Sequence, residues 1–146
     1  MAESREITPV EKSDLLGIVA QLFTEGYRLV QIGCSTLPSA YEITYSFDRE
    51  YRIRHLRIFV ASGEEMPSIS VIFPNAFLYE NEIHDLFGIF ITHMSIDYRG
   101  SLYRTALNTP FSIENVRLPE APKQKAAPHD VKTETENEDA KESGKQ

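Results

Sequence analysis

One short segment carries most of the side chains that are able to do acid–base or metal chemistry. These are Glu80, Glu82, His84, Asp85 and His93. On a helix, Glu80 and His84 stack on one face four residues apart, while Glu82 and Asp85 stack on another, three residues apart. With His93, three of these groups could supply ligands to a zinc or iron ion. Because a metal draws its ligands to one point, and the two pairs face different directions, the spacing favours a metal site less than a structural role.

That structural role is an acid-rich helix whose carboxylates accept hydrogen bonds from backbone N–H groups and arginines at a junction. Other chemistry has little support. Trp is absent and no sugar cleft is indicated, which argues against a glycosidase-type pair of carboxylates. No Gly-x-Gly-x-x-Gly or Gly-x-x-x-x-Gly-Lys-Ser/Thr motif for nucleotides occurs. Cys34 is the only cysteine, so this chain alone holds no cysteine-ligated iron–sulfur cluster, and we expect a buried thiol.

Arg52 and Arg54 lie two residues apart in a predicted strand and therefore share a face. They could bind an anion or the carboxylates of a partner, although a solvated strand face is the simpler interpretation. The formal net charge of −7 argues against broad binding to nucleic acid, which requires Lys and Arg along the phosphates.

The first half of the chain must position this segment, and its pattern predicts one helix followed by strands. Thr8 and Glu11 have capping-box spacing with Pro9 between them, which predicts a helix starting at Thr8. Strands are predicted over 27–32, 41–47 and 52–61, because large apolar residues dominate or alternate there. Residues 48–50 form the predicted hairpin turn, and strands so close in sequence are most simply antiparallel.

From Ser68 to Phe87 the apolar residues return to helical spacing, which Pro74 interrupts. We therefore expect a short helix before Pro74 and a longer one after it, ended by Gly88. The fold class is α+β: an N-terminal helix, a small antiparallel sheet and then Pro-interrupted helices.

Composition divides the 146 residues into two parts. Residues 1–118 are predicted to form one folded domain. From Pro119 to Gln146 the chain has no Leu, Ile, Phe or Tyr and is dense in charge, so a disordered tail is expected. No stretch approaches the roughly 20 apolar residues that span a bilayer, which predicts a soluble, cytoplasmic protein.

The run from Met66 to Ile89, about two dozen residues, carries a family resemblance. It contains Met66-Pro67-Ser68-Ile69, then Phe73-Pro74-Asn75-Ala76, then Glu80-Asn81-Glu82-Ile83-His84-Asp85-Leu86-Phe87-Gly88-Ile89. This run resembles the signature of the C-subunit family of NADH:quinone oxidoreductase (respiratory complex I) and its hydrogenase relatives. Asn81 stands where that signature usually has arginine.

The resemblance implies an extrinsic accessory subunit that carries no cofactor. It would pack on a hydrogenase- or complex I-type large subunit, next to an iron–sulfur small subunit, and contact the membrane arm only indirectly. The partners would hold the iron–sulfur clusters and a possible NiFe centre. The hetero-oligomer would lie on the cytoplasmic side of the cell membrane. The interface signature would comprise Pro67, Ser68, Pro74, Glu80, Glu82, Asp85, Leu86, Phe87 and Gly88, and further partner contacts would come from Arg52, Arg54, His84, His93, Tyr98 and Tyr103.

The sequence after Ile89 bears on the branch of the family. Quinone-reducing members typically continue with Gly-His-Pro and then Arg-Arg, whereas this chain has Thr92-His93-Met94 and later Asp97-Tyr98-Arg99-Gly100-Ser101-Leu102-Tyr103. That ending is more similar to the energy-converting [NiFe]-hydrogenase branch, which is the leading interpretation. The alternatives are the equivalent subunit of a NADH- or other donor-linked quinone oxidoreductase and, from another class, a small stand-alone metal-dependent enzyme.

Overall fold

A computed structural model describes residues 6–116. In chain order the elements are β1 Glu6–Pro9, α1 Leu15–Thr24, β2 Arg28–Thr36, β3 Ala40–Arg49, β4 Arg52–Ala61, β5 Glu65–Pro67, α2 Ala76–Phe87 and β6 Phe90–Thr92. The α+β class is confirmed. Neither described helix is long and apolar enough to cross a membrane. The tail predicted over residues 119–146, like the domain boundary at residue 118, lies outside the described residues.

The main sheet has four strands in the order β1-β4-β3-β2. Strands β2, β3 and β4 are antiparallel, as predicted, but β1 adds a parallel strand beside β4, so the sheet is mixed. The predicted N-terminal helix is confirmed as α1, but its predicted start at Thr8 is wrong: Thr8 pairs with Leu56 of β4, and α1 begins later, at Leu15. Pairing with the sheet outweighed the local capping signal, because a strand gains backbone partners that a helix end lacks.

The core lies between one face of this sheet and the two helices. Strand β3 alternates as predicted, and its inward residues Tyr41, Ile43, Tyr45 and Phe47 are almost fully buried. The hairpin turn is shorter than predicted: β3 runs to Arg49 and β4 starts at Arg52, which leaves only two residues in the turn.

In the second half of the chain, β5 precedes α2 and β6 follows it, and these two strands pair in parallel. Residues 68–73 contain turns and no helix, so the short helix predicted before Pro74 is wrong, and helical spacing there reflects buried Ile69 and Phe73 only. The longer helix after Pro74 is confirmed as α2. It ends at Gly88, which adopts φ 77°, a left-handed conformation that glycine takes without strain.

Candidate functional site

Four polar side chains of helix α2 are directed toward two loops, residues 68–70 and 95–103. They are Glu80, Asn81, Glu82 and Asp85. We call α2 and these two loops the signature joint. Glu80 is fully buried at its centre, where one carboxylate oxygen accepts from Ser68 Oγ at 2.5 Å and the other from the Ile69 N–H at 2.7 Å. Burial raises the pKa of Glu80, and the hydrogen bonds from Ser68 and Ile69 oppose that rise. Glu80 therefore holds the 68–70 loop against the helix.

A chain of serines extends from Glu80 to the second loop. Ser68 Oγ lies 2.6 Å from Ser70 Oγ and also accepts from the Ser70 N–H at 3.0 Å. Ser70 Oγ then accepts from the Ser95 N–H at 2.9 Å. Ser68 and Ser70 are both buried, so each hydroxyl replaces water that these backbone groups would otherwise bind. Both loops are thereby tied to one carboxylate.

Asn81, which stands where the family signature usually has arginine, is the second residue of α2 that holds a loop. Its side chain is fully buried and donates to Phe77 O at 2.7 Å and Ile96 O at 2.8 Å. Its side-chain oxygen accepts from the Tyr98 N–H at 2.8 Å. A side-chain amide is the group suited to bonding one loop N–H and one loop carbonyl at once. Asn81 thus fixes the loop over residues 96–98.

The next turn of α2 holds the rest of this loop. Asp85 Oδ2 accepts from the Tyr103 N–H at 2.9 Å, and Glu82 Oε2 accepts from the Tyr103 hydroxyl at 2.9 Å. The bond to Glu82 and the charges of Glu82 and Asp85 raise the pKa of Tyr103. The other oxygen of Asp85, Oδ1, is shielded from solvent and has no hydrogen-bond partner among residues 6–116.

The C-terminal end of α2 has its own contacts. His84 Nδ1 lies 2.9 Å from Ile89 O, and since a carbonyl only accepts, Nδ1 carries the proton. Leu86 O accepts from the Phe111 N–H at 2.8 Å, and the Phe87 ring packs against the Tyr41 and Phe111 rings. A Cβ at Gly88 would lie 3.1 Å from the Thr109 side chain, so Gly88 also permits close packing.

The remaining predicted contact residues are spread over the surface, except that Pro67 and His93 line one groove. Pro67 ends β5, and Pro74 lies in the turn ahead of α2. Arg54 lies over the Tyr27 ring, 5.8 Å from its centroid, and 4.0 Å from Glu25, while Arg52 is exposed near the hairpin turn. His93 and Tyr98 are exposed on the loop after β6. As contacts with a partner, all of these residues stay predictions.

The acidic and histidine side chains of the segment do not converge. Glu80 is directed to the 68–70 loop, Glu82 and Asp85 to Tyr103, and His84 to the Ile89 carbonyl. Within residues 6–116 no group of three or more His, Cys, Asp and Glu side chains has the arrangement to hold a metal ion. The geometry therefore makes these residues connectors of loops.

Two further titratable groups adjoin the joint: Tyr45 in the core and Cys34, which is partly buried against it. Burial raises the pKa of the Cys34 thiol to about 12, with a smaller contribution from Glu42, so this thiol is protonated at neutral pH. Burial and the Glu80 carboxylate raise the pKa of Tyr45 well above its usual value, and the Tyr45 hydroxyl is buried with no partner among the described residues.

Sequence reasoning missed Ser70 and the role of Asn81. Asn81 was visible only as a substitution of the usual arginine, and nothing in the spacing indicated which loop it would bind. Ser70 gives no signal at all, because a serine on a turn is usually solvated.

Comparison with known proteins places this geometry in a family. The sequence model of the respiratory-chain NADH dehydrogenase 30 kDa subunit matches residues 8–111, which is most of the chain. The chain belongs to this family. The resemblance seen in the signature is confirmed, and the match also extends through the first half, which the signature did not reach.

Two similar proteins show how far the sequence and fold similarity extends. The C subunit of NADH-quinone oxidoreductase from Jannaschia sp. (strain CCS1) is 38% identical over 69 residues, which cover 44% of this chain and 33% of that protein. The chain therefore matches about a third of the length of this relative. A chain in the structure of the membrane-bound sulfane sulfur reductase, an archaeal respiratory membrane complex, superposes with a TM-score of 0.67 at 17% identity, covering 81% of this chain and 76% of that one. The two chains share a fold.

Proposed function

We propose that the chain is a non-catalytic extrinsic subunit of a membrane-bound, complex I-like energy-converting hydrogenase, where it packs on the [NiFe]-type large subunit. The observation that supports this proposal is the hydrogen bonding of the carboxylates in the family signature. Glu80, Glu82 and Asp85 accept hydrogen bonds from the chain's own loops: Glu80 from the 68–70 loop, and Glu82 and Asp85 from Tyr103. The three carboxylates therefore do not meet at one reacting centre. Such an arrangement builds a shaped surface for a neighbour.

In this proposal the chain binds no cofactor itself. The partners, a large catalytic subunit and an iron–sulfur small subunit, hold the redox centres, and the complex lies on the cytoplasmic face of the membrane. Family membership supports an assembly of several subunits, since the family is defined by a subunit of the respiratory-chain NADH dehydrogenase.

The hydrogenase branch is supported by one departure from the quinone-reducing pattern, the Asp97-Tyr98-Arg99-Gly100 ending in place of the usual basic one. A second departure, Asn81 in place of the arginine, is from the signature of the whole family. These departures contact each other, because Asn81 bonds Ile96 O and the Tyr98 N–H. Because the changed helix residue and the changed loop bond each other, we infer that the signature joint of this chain differs in structure from the usual one.

The second candidate is the equivalent subunit of a NADH- or other donor-linked quinone oxidoreductase. It is favoured by the name of the curated relative, which is the C subunit of an NADH-quinone oxidoreductase.

Affinity purification of the chain from its host membranes, with mass spectrometry of the co-purifying subunits and nickel analysis, separates these two candidate functions. Stoichiometric nickel supports the hydrogenase, and a flavin-containing NADH-oxidising module supports the alternative.

The scaffold role itself is tested with Asp85→Ala and Glu82→Ala, using Glu50→Gln at the exposed hairpin turn as the matched loss of one carboxylate. Each joint variant removes one of the two hydrogen bonds that hold Tyr103 to α2. We expect less assembled complex, with a near-normal rate per catalytic centre in whatever complex remains. Normal assembly with a collapsed rate per centre would instead support the third hypothesis, a catalytic or metal-binding cluster.

A further inference from the structure

Helix α1 is apolar on two faces, of which only one is covered by the core. Leu15, Val19 and Leu22 are buried against the sheet. Leu16, Ala20 and Phe23 follow at i, i+4 and i+7 on another face, where Leu16 is 41% and Phe23 56% exposed. None of the ten residues of α1 is charged. A surface helix normally carries charged residues outward, and one that is apolar on all sides is normally buried.

A groove of about 510 Å³ runs along this uncovered face. Helix α1 forms one wall with Leu16, Gly17 and Ala20, and the turn after β5 forms the other wall with Pro67, Val71 and Ile72. We call this the α1 groove. Val71 is 77% exposed on its edge. Exposed apolar surface of this kind, contiguous and lined by large side chains, marks interaction sites on soluble domains.

Gly17 is the residue of this groove that the isolated fold explains least. It lies inside α1, where glycine is a poorer helix former than alanine. A Cβ at Gly17 would have no heavy atom within 4 Å, so nothing in the described part of the chain requires glycine there. A neighbouring backbone that approaches α1 closely would account for it, since small residues are what permit such an approach.

The terminal segments of the chain are poor occupants. From Pro119 onward the sequence contains no Leu, Ile, Phe or Tyr, and the residues before Glu6 contain one large apolar side chain, Met1. A segment of that composition buries too little apolar surface to offset its ordering. Membership in a family of respiratory-complex subunits points to another molecule as the occupant.

We propose that the α1 groove binds the uncharged apolar face of a helix in a partner subunit of the complex. This inference rests on the proposed function and adds to it the location and chemistry of one contact. The groove is lined by one histidine, His93, and by no Lys or Arg, so a phosphate-bearing lipid or nucleic acid finds no cluster of cations there. A largely apolar lining with few charged residues is typical of the core of a protein interface.

The experiment introduces charge into the groove of the full chain in its host. Val71→Glu and Ala20→Glu place a carboxylate on exposed groove positions, and Phe59→Glu does the same on the outer face of β4, where Phe59 is 53% exposed. Two quantities are measured: the melting temperature of the isolated chain and the amount of chain recovered with other subunits. We expect the groove variants to reduce recovery by about tenfold with little change in melting, and the control to assemble normally, because an interface charge without a partner is costly.

Gly17 gives a second measurement in which stability and assembly move in opposite directions. Gly17→Ala should raise the melting temperature of the isolated chain by about 4 °C, because alanine is the better helix former. Gly17→Leu should fold equally well but reduce recovery of the complex by about tenfold, since its side chain would fill the open space above α1. If Gly17→Leu, Val71→Glu and Ala20→Glu all assemble like the wild-type chain, the groove proposal is wrong and the proposed function stands.

The identity of the occupant is read from a photo-crosslinking amino acid at position 20. A crosslink to an apolar helix of another subunit supports the proposal. A crosslink between two copies of this chain, with a dimer in sedimentation, overturns it in favour of self-association, and a crosslink to lipid overturns it in favour of a membrane contact. If the wild-type chain is recovered with no other subunit at all, the proposed function fails, and the groove proposal fails with it.

Discussion

The four-stranded sheet and the signature joint are held together by different kinds of contact. The sheet core consists of inward apolar side chains such as Phe47, Leu56 and Ile58, each almost fully buried. In the joint, buried polar side chains bond loop backbones: Glu80 holds one loop and Asn81 the other. An apolar core tolerates any side chain of the right size and period, whereas a polar network requires each partner at its position. The sheet therefore supports the fold, and the joint sets the shape of the surface beside it.

The largest effect is expected in the sheet core. Phe47→Ala removes a ring that is fully buried and packs against Phe73 with ring centroids 5.3 Å apart. Removing such a ring costs about 3–5 kcal/mol. Phe59→Ala on the outer face of β4 is the matched control and should cost under about 1 kcal/mol, because its ring is 53% exposed. Urea unfolding of the isolated chain measures both, and equal losses would remove the distinction between inner and outer faces.

A smaller but more local effect is expected in the joint. Asn81→Ala leaves Ile96 O and the Tyr98 N–H without their partner in a partly buried place. Unsatisfied groups of this kind cost about 1–3 kcal/mol. Hydrogen exchange should accelerate at residues 96–98 and remain unchanged in β3 and β4. Asn75→Ala, which loses a longer bond of 3.2 Å to Leu29 O, serves as the control. If exchange in the sheet accelerates as much as in the loop, the two regions are one cooperative unit.

What the sequence predicted follows the same division. The strand over 52–61 and the alternation in β3 were confirmed, because burial on one face imposes a period of two that is visible in the residues. The start of the first helix at Thr8 and the short helix before Pro74 were wrong, since pairing with β4 and the turns at 68–73 depend on residues distant in sequence. The signature identified the family and the junction acids. It gave no indication that Ser70 and Asn81 would connect the loops, because such bonds depend on three-dimensional placement.

The contribution of Glu80, in the signature joint, to the free energy of unfolding is expected to depend on pH. Burial raises the folded-state pKa of Glu80 above its usual value of 4.5, so the folded chain retains a proton that the unfolded chain releases. This contribution to stability is therefore fully present below about pH 4.5 and is lost as the pH rises toward the folded-state pKa. Glu80→Gln removes the titration while keeping the shape.

Urea unfolding of both forms between about pH 4 and pH 8 measures this effect. The free energy of unfolding of the wild-type chain minus that of Glu80→Gln should fall as the pH rises. Subtraction cancels every carboxylate that the two chains share. A difference that is constant with pH would show that the hydrogen bonds from Ser68 and Ile69 balance the burial of Glu80. A difference that grows toward neutral pH would show that these hydrogen bonds outweigh the burial and lower the pKa of Glu80.

The smallest effect is expected from removing residues 119–146. A chain ending at Leu118 lacks seven acidic residues and five lysines but no Leu, Ile, Phe or Tyr. A segment without such side chains has little apolar surface to bury on the sheet or the joint, so its removal should change the free energy of unfolding by less than about 0.5 kcal/mol. Recovery of the chain with its partner subunits should be equally unaffected, and a chain in which residues 119–146 are replaced by a Gly/Ser sequence of equal length controls for length alone. If truncation reduces recovery and the Gly/Ser chain does not restore it, the charges of this segment bind a partner, and the interaction surface extends beyond the joint and the α1 groove.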